Sequence, residues 1–111
     1  MSVASGIIAT MTPTSLPCVQ NLYTGTAPVY LTFNFTTRPD NFADNEAGNE
    51  IYDIMVHRVA PATYNATALD KQIKSLLAAA GYDYPSTVDA SDDPAESHIV
   101  FETGIAVNVG G

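Results

Sequence analysis

Positive charge is what this chain of 111 residues has least of: Arg38, Arg58, Lys71 and Lys74 are its only formal cations, against twelve acidic side chains and a formal net charge of −8. Four cations cannot neutralise a run of phosphates, so the composition argues against a protein that grips a nucleic-acid backbone. Charge of either sign is scarce, at 14% of residues, where an average soluble domain has roughly 25%. None at all occurs before Arg38. Surface destined to be covered by a partner is depleted in Lys, Glu and Asp, which leaves two readings open for the uncharged lead. It is either surface reserved for partners or a solvated, flexible arm over residues 1–15.

Long apolar runs are missing too. Nothing approaches the ~20 apolar residues of a membrane-spanning helix, and the lead has neither the basic start nor the long apolar centre of a signal peptide. No membrane partner is expected. A single cysteine, Cys18, excludes an intrachain disulfide and suits a reducing cytosol. Without secretion, the sequon matches Asn34-Phe-Thr36 and Asn65-Ala-Thr67 carry no meaning.

Catalytic motifs are equally sparse. There is no nucleophile elbow, no phosphate-cradling glycine loop and no paired His–Cys motif. Triads do assemble from distant positions, yet one small domain of this wording reads as non-enzymatic, with no catalytic residue and no cofactor assigned. His57, His98 and Cys18 lack the spacing of a metal site; strand histidines beside polar neighbours are the ordinary explanation. Asp40, Asp44 and Glu46 offer oxygens to calcium but not the EF-hand spacing or its closing bidentate Glu, so a solvated hairpin loop is the preferred reading.

What the chain does contain is a core. At 46% hydrophobic residues it is an ordinary folded composition, and its length makes residues 1–111 one domain. Val29, Leu31, Phe33 and Phe35 alternate with Tyr30, Thr32 and Asn34, as a two-faced strand requires. Tyr52, Ile54 and Val56 share one face of a second strand, with Ile51, Met55 and Val59 on the other. Ile99, Phe101, Ile105 and Val107 form the apolar face of a third, backed by His98, Glu102 and Gly104. The spacing predicts strands near 29–35, 51–59 and 98–107.

One amphipathic helix is predicted over 66–80. Asn65 is its N-cap and Gly81 its left-handed terminator. Leu69, Ile73, Leu76 and Ala80 recur at helical spacing, flanked by Leu77 and Ala66, and Asp70 and Lys74 are set for an i,i+4 pair on the solvent side. Residues 3–11 fit a short helix or an edge strand, stopped by Pro13 and Pro17, and Leu16–Tyr23 extends briefly. Asp89 to Glu96 reads as a mobile acidic connector. The expected fold is α+β, a small antiparallel sheet of three to four strands with the main helix on one face. Such a helix is ~22 Å long and covers one face of a small sheet, not both. The opposite face, with Tyr30, Thr32, Asn34, Met55 and His57, is left for the N-terminal segment or a neighbouring subunit to cover.

The order of these pieces resembles the tail-completion, or tail-terminator-like, proteins of long-tailed bacteriophages. The matching elements are Pro17-Cys18-Val19, then Val29-Tyr30-Leu31-Thr32-Phe33-Asn34, then Asn41-Phe42-Ala43-Asp44-Asn45. Tyr52-Asp53-Ile54-Met55-Val56 and the helix end Ile73 to Tyr82 follow, and His98 opens the last strand, where the family places a His or Tyr. Residues 16–107 are covered; the family's fuller N-terminal helix is the point of departure. The resemblance implies a non-enzymatic virion protein. It implies a small α+β subunit that forms a ring, usually hexameric, on the head-proximal end of the tail. That ring ends the tail tube, joins it to a head-neck or connector protein, and lets DNA pass without specific binding. On this reading the protein is assembled in the host cytoplasm, and Tyr30, Asn34, Phe42, Asp44, Met55 and His57 are the subunit-contact candidates. A neck adaptor on the portal side is the nearest alternative. A small cytosolic ligand-binding module or enzyme subunit, using the Tyr30/His57 face as a pocket, is the alternative from another class.

Overall fold

The computed structural model describes residues 2–39 and 49–108. Five strands form one sheet: β1 (Cys18–Gln20), β2 (Tyr30–Pro39), β3 (Asn49–Pro61), β4 (Ser86–Asp89) and β5 (Glu96–Asn108). Their order is β1-β2-β3-β5-β4. β1 runs parallel to β2, and the other pairings are antiparallel. The α+β class and the three long strands match the sequence reading. The sheet is larger than expected, with five strands, and mixed rather than wholly antiparallel. The two added strands are three and four residues long, too short to display a period of two, and they exist because a longer neighbour offers a ladder to pair with.

Two helices pack on one face. Helix α1 (Val3–Met11) is capped by the Ser2 side chain, which accepts from the Ser5 amide. It drops Ile7 and Met11, both fully buried, into the core. A 3₁₀ turn over Thr12–Thr14 and a left-handed Ser15 (φ 62°) then redirect the chain into β1. Of the readings left open for the lead, the helix is the one observed over residues 3–11.

Helix α2 (Thr67–Ala79) lies where predicted. Its boundary residue is Ala66 rather than Asn65, although the Asn65 side chain still accepts from the Thr67 amide at 3.2 Å. At the other end Gly81 takes φ 98°. The Tyr82 amide reaches back to the Leu77 carbonyl and the Gly81 amide to that of Ala78, a complete Schellman closure.

The buried stripe of α2 differs from the predicted one. Leu69, Ile73 and Leu77 are buried, while Leu76 is half-buried at the margin. The cause is electrostatic. Alternation along β3 carries Arg58 onto the core face beside Tyr52, Ile54 and Val56. There it is 2% exposed and makes two 2.8 Å bonds to the Asp70 carboxylate, from Nε and from a terminal nitrogen. The Arg58 guanidinium also donates to the carbonyl and hydroxyl of Ser97. Asp70 is therefore held inward by Arg58, not set on the solvent side with Lys74 as the sequence suggested. At 100° per residue, Leu77 lies about 20° from Asp70 around the helix and Leu76 about 120° away. Fixing Asp70 over Arg58 thus rotates Leu77 into the core.

The strands outrun their cover. β3 and β5 have 13 residues each, which span ~43 Å at ~3.3 Å per residue, whereas the 13 residues of α2 span only ~20 Å. Phe35, Tyr52 and Ile105 close the end of the core. Beyond them β2, β3 and β5 continue as a three-stranded ribbon, with Thr36, Thr37, Arg38 and Pro39 exposed. The molecule is accordingly 51 × 25 × 24 Å. The acidic stretch after β4, expected as a mobile connector, is built into a hairpin turn. Asp89 and Asp93 accept from the amides of Ser91 and Ala95, and the Ala90 amide donates to the His98 carbonyl.

Candidate functional site

Both helices lie on the same side of the sheet; no helix among the described residues covers the other side, where Thr32, Val59 and Val100 are nonetheless buried. Asn21, in the left-handed region at φ 68°, ends β1 and turns the chain onto this face, its amide held by the Phe33 carbonyl. The loop that follows folds Tyr23 over Tyr30, with ring centres 4.3 Å apart and planes inclined by 26°. The Tyr23 hydroxyl accepts from the Ala27 amide at 2.9 Å and closes the loop around itself. A Cβ at Gly25 would stand 2.3 Å from that hydroxyl, so the closure requires glycine here.

Between this loop and β5 lies an open groove of about 620 Å³. Its floor comes from alternate residues of three strands: Tyr30, Thr32 and Asn34 of β2, His57 and Val59 of β3, Glu96 and His98 of β5. The register explains the convergence. Thr32 stands opposite His57, and Val59 opposite His98, so the two imidazoles meet on a diagonal.

There they form a chain of hydrogen bonds across the strands. The Asn34 side-chain oxygen lies 2.8 Å from His57 Nε2, and His57 Nδ1 lies 2.8 Å from His98 Nε2. With Asn34 accepting, His57 carries its proton on Nε2, and Nδ1 is the acceptor for His98 Nε2–H. The imidazole centres are 5.0 Å apart. At that separation the bonded nitrogens sit close to the line joining the ring centres, as an in-line N–H···N bond requires. Burial, and then the charge of His98, hold the His57 pKa below its ordinary value. His57 is thus kept as a neutral, doubly bonded ring.

Hydroxyls, an amide, two imidazoles and stacked phenols present donors and acceptors along an open floor. Cys18 is on the other side, packed against the core, and burial pushes its thiol up to about 11. It does not meet the histidines. Among the described residues no group of three His, Cys, Asp or Glu side chains is placed to hold a metal.

Of the subunit-contact candidates, Tyr30, Asn34 and His57 come together in the groove, and Met55 stands opposite Asn34 on the same face. Phe42 and Asp44 lie outside the described residues, as do the oxygens considered for calcium. Tyr23, Val59 and Glu96 of the groove were not among the candidates, and His98, expected on the non-core face of its strand, is brought to His57 only by the pairing. Its place depends on the β3–β5 register, for which the chain carries no local signal. Asn34, Thr32 and His57 were legible as one face from alternation alone.

No family model and no curated protein sequence matches the chain. A solved structure is similar over 93% of this chain and 94% of its own, at 14% identity and a TM-score of 0.48. At that level the likeness supports no argument about fold or function. No helix among the described residues is long and apolar enough to cross a membrane.

Proposed function

We propose that this chain is a structural subunit of a long-tailed bacteriophage virion. It assembles with copies of itself into a ring, hexameric in the expected case, at the head-proximal end of the tail, where it ends the tail tube and joins it to the neck. The reading rests on the order of motifs from Leu16 to Val107. The single structural observation that carries it is the one-sided cover of the sheet. Two helices occupy one face, and the centre of the other, formed by Tyr30, Thr32, Asn34, Met55, His57, Val59, His98 and Val100, carries no charged side chain, while Glu96, Glu102 and the Arg38–Asp53 pair stand around it on the same face. A solvated sheet face ordinarily carries Lys and Glu, and their depletion is the mark of surface that a partner covers. The ribbon standing clear of the helices adds a second contact element. The partners are the tail tube protein and a connector protein. DNA passes the ring without being gripped, in keeping with the acidic balance.

Deletion decides the matter. Lysates of an amber mutant should contain tail tubes of uncontrolled length and filled heads without tails. Tails of normal length that fail to join heads would identify a neck adaptor instead, and normal, fully joined particles would overturn both. The groove favours one further reading, a small ligand-binding module. Light scattering and negative-stain microscopy separate it: rings for the assembly role, a monodisperse monomer stabilised by a small molecule for the other.

A further inference from the structure

The Asn34–His57–His98 chain runs across the middle of the face that the assembly reading assigns to a neighbouring copy, and its proton count is constrained by geometry. His57 has both ring nitrogens engaged, one with Asn34 and one with His98. A first proton therefore enters the pair at His98, on the nitrogen that does not face His57. It leaves both links intact and makes the His98–His57 bond charge-assisted. A second proton has only His57 Nδ1 to go to. That step abolishes the acceptor and sets two cations nose to nose at 2.8 Å, so the link must break and a ring must turn out of the groove.

The surroundings determine which charges answer this. On β5, Glu96 flanks His98 in the groove, and Glu102, two residues beyond Val100, stands opposite Met55. Asp89, at the end of β4, is close enough to His98 to interact with its charge. From β2 and the 21–28 loop come only the phenols of Tyr30 and Tyr23. Farther along, Arg38 is engaged with Asp53 at 2.9 Å, and Arg58 lies on the opposite face with Asp70. Glu96 lies beside His98, which suits the first proton there, whereas Glu102 stands diagonally across from His57, whose own cross-strand partner is Val100.

We propose that the Asn34–His57–His98 chain is a proton-operated latch. It keeps the groove floor flat and bonded across three strands at neutral pH, and it opens at the His57–His98 link when acid supplies the second proton, releasing a neighbouring copy docked on this face. The role of the neighbour rests on the assembly reading; the latch itself does not.

Imidazole ¹⁵N resonances of the full chain, followed from pH 8 to pH 4, test the latch directly. The expected result is His57 in its Nε2–H form, protonating after His98. An Nδ1–H form, or His57 protonating first or together with His98, overturns it. Oligomer size against pH tests the consequence. Removing the His98 charge with His98→Gln leaves an amide that still donates to His57 and should move acid release to higher pH. His57→Gln should abolish acid release, with the melting temperature at pH 8 reporting whether the variant folds. Release at an unchanged pH in both folded variants refutes the coupling. A chain that is monomeric at every pH defeats the ring reading instead, and the ¹⁵N titration then decides the latch alone.

Discussion

Removing the Asp70 carboxylate should unfold this protein more effectively than removing any surface charge. Asp70→Ala leaves the Arg58 guanidinium, 3% exposed at its side chain, without the two oxygens that face it. Stranding one partner of a buried pair costs about 3–5 kcal/mol. Asp70 is 25% exposed, so water reaches the site and the lower end applies, about 3 kcal/mol. Domains of this class are stable by only about 5–15 kcal/mol, and each kcal/mol moves the melting temperature by roughly 4 °C or more at this size. Asp70→Ala should therefore melt about 12 °C lower. Arg58→Met combined with Asp70→Leu removes both charges and should fall within about 1 kcal/mol of the parent, because an apolar replacement avoids desolvating either ion. Urea titrations of the four members of this cycle supply the comparison. A loss below about 1 kcal/mol for Asp70→Ala would refute the argument, and so would a double variant less stable than the single one.

Leu77→Ala should cost about 2–5 kcal/mol and Leu76→Ala clearly less, reversing the ranking that simple periodicity suggests; paired thermal melts would check it. The Cys18 thiol, pushed up to about 11 by burial, should be alkylated roughly a hundredfold more slowly near pH 8 than a free cysteine, with the difference vanishing in urea. His57 is a base whose pKa is lowered in the folded protein, so the unfolded chain binds its proton more readily. Its contribution is fully present above the unfolded value near ~6.5 and lost as pH falls below it. Stability should therefore decline from about pH 6.5 downward, and His57→Gln should flatten that limb in denaturant titrations.

The parts of the fold that follow from local period were readable in the sequence. Val29, Leu31 and Phe33, then Ile54 and Val56, then Phe101 declare their faces by alternation, and Gly81 declares the end of α2. What local pattern misses is anything decided by pairing. β1 has three residues and acquires its identity from β2; β4 is fully exposed and has no apolar face to read. Helix rotation is the instructive error. The inward position of Arg58 was already written in the alternation of β3, and a buried guanidinium demands a carboxylate. Following that demand leads to Asp70 and from there to Leu77. The site divides in the same way: the β2 and β3 members follow from alternation, whereas His98 waits on a register between strands separated by a helix and a hairpin.

The strand order also has a consequence for how the chain is made. β3 is the middle strand, yet its second neighbour, β5, is synthesised only after α2 and β4. Until β5 emerges, β3 has a bare edge of 13 residues, and Val56 has no Phe101 across from it. Local contacts can organise the β2–β3 hairpin and α2 early, but the sheet closes only by a long-range pairing, which is slow because loop closure must precede any gain. An open apolar edge during that interval invites pairing with other nascent copies. The chain thus passes, at every synthesis, through a stage in which it can pair wrongly, and yield in the cell should be limited by the time β3 spends alone.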